Sequence, residues 1–184
     1  MKLSLKKKTA GSVLLPLLCA VLLLSVLMGN ARAVSTATAR LRPDYTIVID
    51  GSERTFYNVN GQQVHPISYH DTTYLPVRAI GELMGKVVSW DEAKLTVTLS
   101  GVRTGEATKG TPTAATAGNI SVEVRDDFTV IVDGTVRSFA DANGKTVYPL
   151  LYQGSTYLPI RAIGELMGKT VGWVKVTSSA VSPA

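Results

Sequence analysis

Short runs of alternating apolar and polar residues recur along the chain and predict β-strands. Residues 45–49 are rich in β-branched side chains and are followed by an Asp-Gly pair, which is typical of a two-residue hairpin turn. Residues 95–99 alternate leucine or valine with threonine, as in a strand with one buried face. After Pro76 the apolar residues are three and four positions apart, which predicts a short helix that ends at Gly85.

One stretch of the chain occurs twice. Residues 73–86 read T-Y-L-P-V-R-A-I-G-E-L-M-G-K, and residues 156–169 repeat this stretch with one valine replaced by isoleucine. The two copies lie 83 positions apart (156 − 73 = 83). Residues 42–90 match residues 125–173 without a gap, with 27 identities in 49 positions. A duplication of this length constrains the architecture more than the propensity of any single segment.

The duplication predicts an α+β fold of two tandem modules, residues 44–100 and residues 120–184. Each module is expected to be a small antiparallel sheet of about five strands packed on one short helix. Residues 34–43 are small and polar, which favours a flexible lead-in, and residues 101–119 have the Gly, Thr and Ala composition of a linker. The last strand of the second module is expected to be weak, because residues 174–184 are rich in serine.

The first 33 residues have the pattern of a secretory signal peptide. A basic start is followed by an apolar run, and small residues then occupy the two positions that a signal peptidase recognises. The residues of this cleavage site are Ala31, Ala33 and Val34, with cleavage expected before Val34. We therefore expect a secreted or cell-surface protein that contacts the membrane only through this segment before cleavage. Retention of the run as a membrane anchor and a lipid on Cys19 are the two alternatives.

Removal of this leader changes the charge balance. The chain has 19 basic and 14 acidic residues, and the leader contains five of the basic residues and none of the acidic ones. The rest of the chain therefore has 19 − 5 = 14 basic residues against 14 acidic ones. This balance argues against nucleic acid as a partner. Because Cys19 is the only cysteine, the chain after the leader can form neither a disulfide nor a thiolate metal site.

The duplicated stretch, followed by a tryptophan, resembles the copper amine oxidase N-terminal-like domain, also called the stalk domain, of secreted bacterial proteins. In that family a Tyr-x-Pro-x-Arg segment opens a short helix, a glycine closes it, and a Val-x-Trp-Asp strand follows. The matching residues are Tyr74, Pro76, Arg78, Gly85, Val88, Trp90 and Asp91 in the first copy, and Tyr157, Pro159, Arg161, Gly168, Val171 and Trp173 in the second, which lacks the aspartate.

This resemblance covers both modules and implies two tandem copies of the family domain. It implies a five-stranded antiparallel sheet around a helix, in a secreted or cell-surface protein. It implies no oxidase activity, because the family is named after a non-catalytic appendage of an amine oxidase.

The residues themselves indicate no catalytic or cofactor site. Copper amine oxidase chemistry needs three histidines, and the chain has only His65 and His70. These two are five positions apart, on opposite faces of a strand, and the second module has Tyr148 and Gln153 in their places. A G-x-S-x-G nucleophile elbow and a phosphate-binding glycine loop are also missing from the sequence. We therefore expect no enzymatic activity, no metal and no cofactor.

Four residues of the duplicated stretch are candidates for binding: Arg78, Arg161, Tyr74 and Tyr157. The arginines could bind a carboxylate or a glycan. The structural interpretation, which we favour, is that each arginine pairs with the glutamate four positions later or stacks on the tryptophan of its own module. The tryptophans could bind sugar rings, but each shares a strand face with a core valine, which favours burial.

These features favour a secreted, non-catalytic tandem module that acts as a spacer or a binding domain at the bacterial cell envelope. Its partner would be a cell-wall polymer or an envelope protein, and a homodimer is consistent with modules this small. Two alternatives from other classes stay open. One is a small envelope hydrolase that uses an aspartate and His65, and the other is an interaction module that adds a β-strand at an open sheet edge.

Overall fold

In a computed structural model of the chain, residues 34–172 are described. The predicted leader, with Ala31 and Ala33 of its cleavage site, lies outside the described residues. Trp173 and the expected weak last strand also lie outside them.

The first repeat contains nine short strands and one helix. In chain order the elements are β1 (Ser35–Leu41), β2 (Ile47–Ile49), β3 (Ser52–Arg54), β4 (Phe56–Tyr57), β5 (Gln63–Val64), β6 (Ile67–Tyr69), β7 (Thr72–Pro76), α1 (Val77–Leu83), β8 (Val87–Asp91) and β9 (Thr96–Ser100). Residues 101–117 follow as a connecting segment without a strand or helix.

The second repeat has the same order of elements up to its helix. They are β10 (Gly118–Val124), β11 (Thr129–Val132), β12 (Thr135–Arg137), β13 (Phe139–Ala140), β14 (Thr146–Val147), β15 (Leu150–Tyr152), β16 (Ser155–Pro159) and α2 (Ile160–Leu166). Each matches, to within one residue, the element 83 positions earlier. The described chain is thus mostly strand with two short helices, which confirms the α+β class.

Six strands close into a barrel, three from each repeat, in the order β1-β10-β15-β16-β7-β6. The repeats meet at two antiparallel seams, β1 with β10 and β7 with β16. Thr38 lies opposite Ser121, and Leu75 lies opposite Leu158. In both pairs a residue faces its own equivalent from the other repeat, which is the geometry of a two-fold axis between the repeats.

The barrel interior is built from three pairs of equivalent residues. All six side chains are at most 4% exposed, and they alternate with outward residues along the strands. The pairs are Ala39 with Val122, Ile67 with Leu150, and Tyr74 with Tyr157.

The β8–β9 hairpin of the first repeat completes a sheet with the second repeat. β9 runs parallel to β11 in a four-stranded sheet of order β12-β11-β9-β8. The Thr129 N–H donates to the Leu95 carbonyl at 3.0 Å, and the Asp133 N–H donates to the Leu99 carbonyl at 3.0 Å. The inward residues of the two central strands are at most 3% exposed and pack in one core with both helices: Val97, Leu99, Val130 and Val132.

Two equivalent ion pairs also join the repeats. Lys86 Nζ lies 2.7 Å from Asp133, and Lys169 Nζ lies 2.7 Å from Asp50. Each pair connects the lysine after the glycine that ends one helix to the Asp-Gly turn of the other repeat. At the surface such pairs contribute about 0.2–1 kcal/mol each, so they orient the hairpins more than they stabilise the fold.

The predicted flexible lead-in at residues 34–43 is wrong for most of its length, because Ser35–Leu41 forms β1. The predicted linker at residues 101–119 also ends too late, because β10 begins at Gly118. Ala37, Ala39 and Leu41 alternate with exposed residues along β1, but two of the three are alanines, so this strand has only a weak signal in the sequence. It forms because β10 and β6 pair with its two edges.

Strands of both repeats share the barrel and the four-stranded sheet. Residues 34–172 therefore form one interleaved unit, whereas the predicted modules, residues 44–100 and 120–184, would each have had a sheet of their own. Sequence identity identified the equivalent elements correctly, but it contains no information on which strands pair across the repeats.

The local turn and helix predictions are confirmed. Asp50 and Gly51 have φ values of 52° and 75°, as a type I′ turn requires, and β2 pairs with β3 across them. α1 begins directly after Pro76, and Gly85 follows it with a φ of 63°.

A glycine inside each helix allows the next strand to approach closely. A Cβ on Gly81 would lie 2.2 Å from Cγ2 of Val88, and one on Gly164 would lie 2.3 Å from Cγ2 of Val171. Two non-bonded carbon atoms do not come this close, so the valine methyl occupies the space that a side chain on the glycine would need.

We expect Gly81→Ala to destabilise the protein by about 1–3 kcal/mol, because the new methyl group overpacks the contact with Val88. Alanine otherwise favours a helix over glycine by about 1 kcal/mol, so the sign of the change tests the contact. Chemical denaturation measures it, and the double variant with Val88→Ala should recover part of the loss. A stabilised single variant would contradict the close packing.

Candidate functional site

The exposed face of α1 carries Arg78, beside a hollow of about 100 Å³. Lys86 pairs with Asp133, and Arg103 pairs with Glu82. Within residues 34–172, Arg78 has no ion pair, so it is the cation of this hollow without a carboxylate partner. The hollow is lined by Arg78, Glu82, Lys86, Val87, Val88 and Arg103.

Glu82 anchors the connecting segment. Its Oε1 lies 3.1 Å from Nη2 of Arg103 and accepts hydrogen bonds from the Thr108 backbone N–H at 3.1 Å and the Thr108 hydroxyl at 2.5 Å. The carboxylate is only 15% exposed, so these donors replace most of its hydration. The predicted pair between Arg78 and Glu82 is therefore wrong, because donors from the connecting segment occupy the carboxylate.

Among residues 34–172, the second helix has no equivalent of this anchor. Arg161 is half-buried and Glu165 is exposed, and no ion pair joins the two side chains. The predicted pairing four positions apart is thus wrong in this repeat as well.

Tyr74 and Tyr157 are buried in the barrel, at 1% and 2% exposure. Burial raises the pKa of both phenols above the ordinary value, because the charged form would lose its hydration. The structure therefore does not bring the four candidates together. The tyrosines belong to the barrel core, whereas the two arginines lie on separate helices outside it.

Trp90 is exposed, contrary to the predicted burial. Its side chain is 46% exposed, and its ring centroid lies 4.7 Å from that of Phe128 in the second repeat. Arg125 lies over the Phe128 ring, with its guanidinium carbon 3.8 Å from the ring centroid. Asp127 accepts two hydrogen bonds from Arg125, both at 2.9 Å, which fixes the guanidinium. We call Trp90, Phe128 and Arg125 the aromatic stack.

The first repeat has an equivalent of the contact between Arg125 and Phe128. Arg42 lies 3.7 Å from the ring centroid of Tyr45 and hydrogen-bonds Asp44. The repeated Arg-x-Asp-aromatic pattern was thus a signal in the sequence for a cation–π pair. It was missed because the aromatic residue was assigned only to a strand.

The two histidines lie in different environments. Among the described residues, no group of three His, Cys, Asp or Glu side chains is placed to bind a metal ion. His65 is partly buried with its Nε2 unpaired there, and burial lowers the pKa of its imidazole. His70 is exposed in the turn after β6, where its ring lies 4.1 Å from that of Tyr69.

A larger hollow of about 410 Å³ lies beside β1. Small side chains of the first repeat form much of it, where the second repeat has larger ones. Ala37, Ala39 and Ser68 correspond to Ile120, Val122 and Leu151. Tyr69 and His70 line the end of this hollow that lies next to the β6–β7 turn. Within residues 34–172, neither helix is long and apolar enough to cross a membrane.

A family model described as the copper amine oxidase N-terminal domain matches residues 49–147, which is 99 of the 184 residues (147 − 49 + 1 = 99). The chain belongs to this family. The match is a single one that runs from the end of β2 to the end of β14, across parts of both repeats. No curated protein and no solved structure matches the chain.

Membership in the copper amine oxidase N-terminal domain family has a limited functional meaning. This domain is a non-catalytic part of the amine oxidase, so the family supports a non-catalytic module in general. Much of the motif that resembles the family serves the fold: Tyr74 fills the barrel and Lys86 joins the repeats. Trp90 of the motif is exposed in the aromatic stack, and Glu82 of the duplicated stretch anchors the connecting segment.

We expect Glu82→Ala to release the connecting segment, because Arg103 and Thr108 lose their common acceptor. Trypsin should then cleave after Lys109 several times faster, and the free energy of unfolding should fall by about 1–3 kcal/mol. Glu165→Ala is the matched control, since this equivalent residue has no such contacts among the described residues. Equal cleavage rates in the two variants would show that Glu82 does not hold the segment.

We expect His65 to make stability depend on pH. Its pKa is lowered in the folded state, so the unfolded state binds the proton more tightly and stability falls as pH drops below about 6.5. His65→Tyr, which copies Tyr148 of the second repeat, should weaken this dependence between pH 7 and pH 5. His70→Gln, which copies Gln153, is the control. Thermal melts across this range measure the effect, and identical pH profiles for all three proteins would contradict it.

Proposed function

We propose that the chain is an exported, non-catalytic module of the bacterial cell envelope that binds a cell-wall polymer through the exposed ring of Trp90. The family supports the non-catalytic role in general. The signal pattern of the first 33 residues supports export. The observation that carries the binding role is the exposed indole of the aromatic stack.

The stack provides a rigid surface for binding. Phe128 supports the indole from one side, and Arg125 supports Phe128 in turn, held by Asp127. A side chain that is already fixed loses little conformational entropy when a ligand covers it. Tryptophan also offers a large apolar face, and truncating such a residue at a binding surface often costs 2 kcal/mol or more.

A cation near the stack suits a polymer that carries negative charge. β8 ends near Trp90, and two residues earlier its Val88 lines the hollow beside Arg78. Two residues of a strand span about 7 Å, so the indole and the hollow lie within the length of a short oligosaccharide. Arg78 has no carboxylate partner among the described residues and can therefore bind a carboxylate or phosphate of the polymer.

A spacer role is the second candidate, and the interleaved barrel supports it. Two seams and two ion pairs tie the repeats into one unit, which would hold a neighbouring domain at a fixed distance. A spacer needs no ligand, so wall binding separates the two functions.

We expect the protein to co-sediment with purified cell walls and Trp90→Ala to weaken this binding at least about tenfold. Tyr148→Ala is the control, because Tyr148 is exposed to a similar extent (43%) but lies outside the stack. Arg78→Ala should give an intermediate loss that added salt diminishes. Thermal melts establish that each variant is folded.

The outcomes separate the hypotheses. If the unmodified protein is not retained on walls, the spacer role remains. If Trp90→Ala binds as well as the unmodified protein, a different surface carries the binding. N-terminal sequencing of the exported protein tests export, and the expected first residue is Val34.

A further inference from the structure

The two repeats differ at one edge of the structure. β11 of the second repeat lies between β12 and β9, so both of its edges are paired. Its equivalent, β2, pairs with β3 alone among the described residues, in a sheet of two strands. A two-stranded hairpin with one open edge is marginally stable by itself, and an open edge is a template for another strand.

The side chains of β2 are less buried than their equivalents in β11. Val130 and Val132 in β11 are 1% and 3% exposed, because β9 lies beside them. Their equivalents Ile47 and Ile49 are only partly buried, and Ile47 packs against the edge of the core. Val48, whose side chain is on the other face, is 57% exposed. The edge therefore combines unpaired backbone groups with incompletely covered aliphatic side chains.

The backbone of β2 is arranged to accept a parallel strand. In a two-residue hairpin the pair Ile49 and Ser52 exchanges hydrogen bonds, so the N–H and C=O of Val48 are directed away from β3. In the second repeat, Thr129 and Asp133 donate to carbonyls of β9. Their equivalents are Thr46 and Asp50. The donors of β2 thus have the same spacing as those that hold β9 on β11.

The β9–β11 pair defines the chemistry of the missing strand. β9 reads T-V-T-L-S, with Val97 and Leu99 at 2% and 0% exposure and threonines facing outward. A strand on β2 would need aliphatic residues at the same two positions, in a parallel direction.

The chain's own equivalent of β9 lacks these residues. In the second repeat, the positions equivalent to Val97 and Leu99 are occupied by Ala180 and Ser182. The position equivalent to Ser100 is Pro183, which has no backbone N–H to donate. A second copy of the chain cannot supply its β9 either, because β9 already lies between β11 and β8. Both comparisons favour a segment from a different protein.

We propose that β2 is a docking edge for an extended segment of another protein, added as a parallel strand with aliphatic residues at alternate positions. The segment would cover Ile47 and Ile49 as β9 covers Val130 and Val132. Backbone hydrogen bonds supply affinity, and the two aliphatic positions supply specificity. This site is separate from the wall-binding surface at Trp90, so either one can be correct without the other.

The test uses a synthetic peptide with the β9 sequence, K-L-T-V-T-L-S-G, and the full-length protein. Calorimetry should show binding with one site per chain. A peptide with lysine in place of its valine and second leucine should bind at least tenfold more weakly. Val48→Pro should also lower the affinity at least tenfold, because it removes the central donor of the edge without disturbing the pairs between β2 and β3. Val48→Thr, which keeps the donor, is the matched control.

Each other occupant of this edge predicts a distinct result. If the chain's own C-terminal segment fills the edge, the peptide will bind only after Ala180→Lys and Ser182→Lys are introduced together, and this overturns the proposal. If a second copy fills it, the protein will sediment as a dimer that the peptide dissociates, which also overturns it. Peptide binding that is unaffected by Val48→Pro would place the peptide elsewhere on the molecule and exclude the β2 edge.

Discussion

The pairing of each repeat with its own equivalent, at the β1–β10 and β7–β16 seams, is the constraint on which the rest of the structure depends. These two seams close the barrel, and the closed barrel buries three pairs of equivalent side chains. They also place the β8–β9 hairpin of one repeat beside β11 of the other. Each repeat contributes three of the six barrel strands, so this barrel closes only when both repeats are present. A unit of roughly 60 residues is only marginally stable by itself, because it buries a small share of its surface.

Local chemistry was readable from the sequence, and long-range pairing was not. The Asp-Gly turn, the proline at the start of α1 and the glycine after it are decided by a few neighbouring residues, and all three were predicted correctly. The composition of residues 34–43 predicts a flexible lead-in, but β1 forms there because it pairs with β10, about 80 positions away in the chain. The burial of Tyr74 has the same cause, since it depends on β16 of the other repeat, whereas Trp90 is exposed on β8, an edge strand of the four-stranded sheet.

The most exactly repeated residues serve the fold, and identical residues can still have different surroundings in the two repeats. Gly81, Tyr74 and Lys86 have equivalents with the same contacts, as expected for residues that the barrel requires in both copies. Glu82 and its equivalent have identical side chains but different surroundings, because only the connecting segment brings donors to Glu82. Identity between the repeats therefore indicates a shared place in the fold and does not by itself indicate shared contacts at the surface.

The two-fold relation between the repeats has a consequence for the origin of the chain. A shorter ancestor with one repeat would have had three barrel strands, and it could close the same barrel only as a homodimer with Thr38 and Leu75 on the dimer axis. Gene duplication and fusion through residues 101–117 would turn that dimer into a single chain. After fusion the two halves no longer had to be identical, so one could acquire a new surface while the other preserved the architecture.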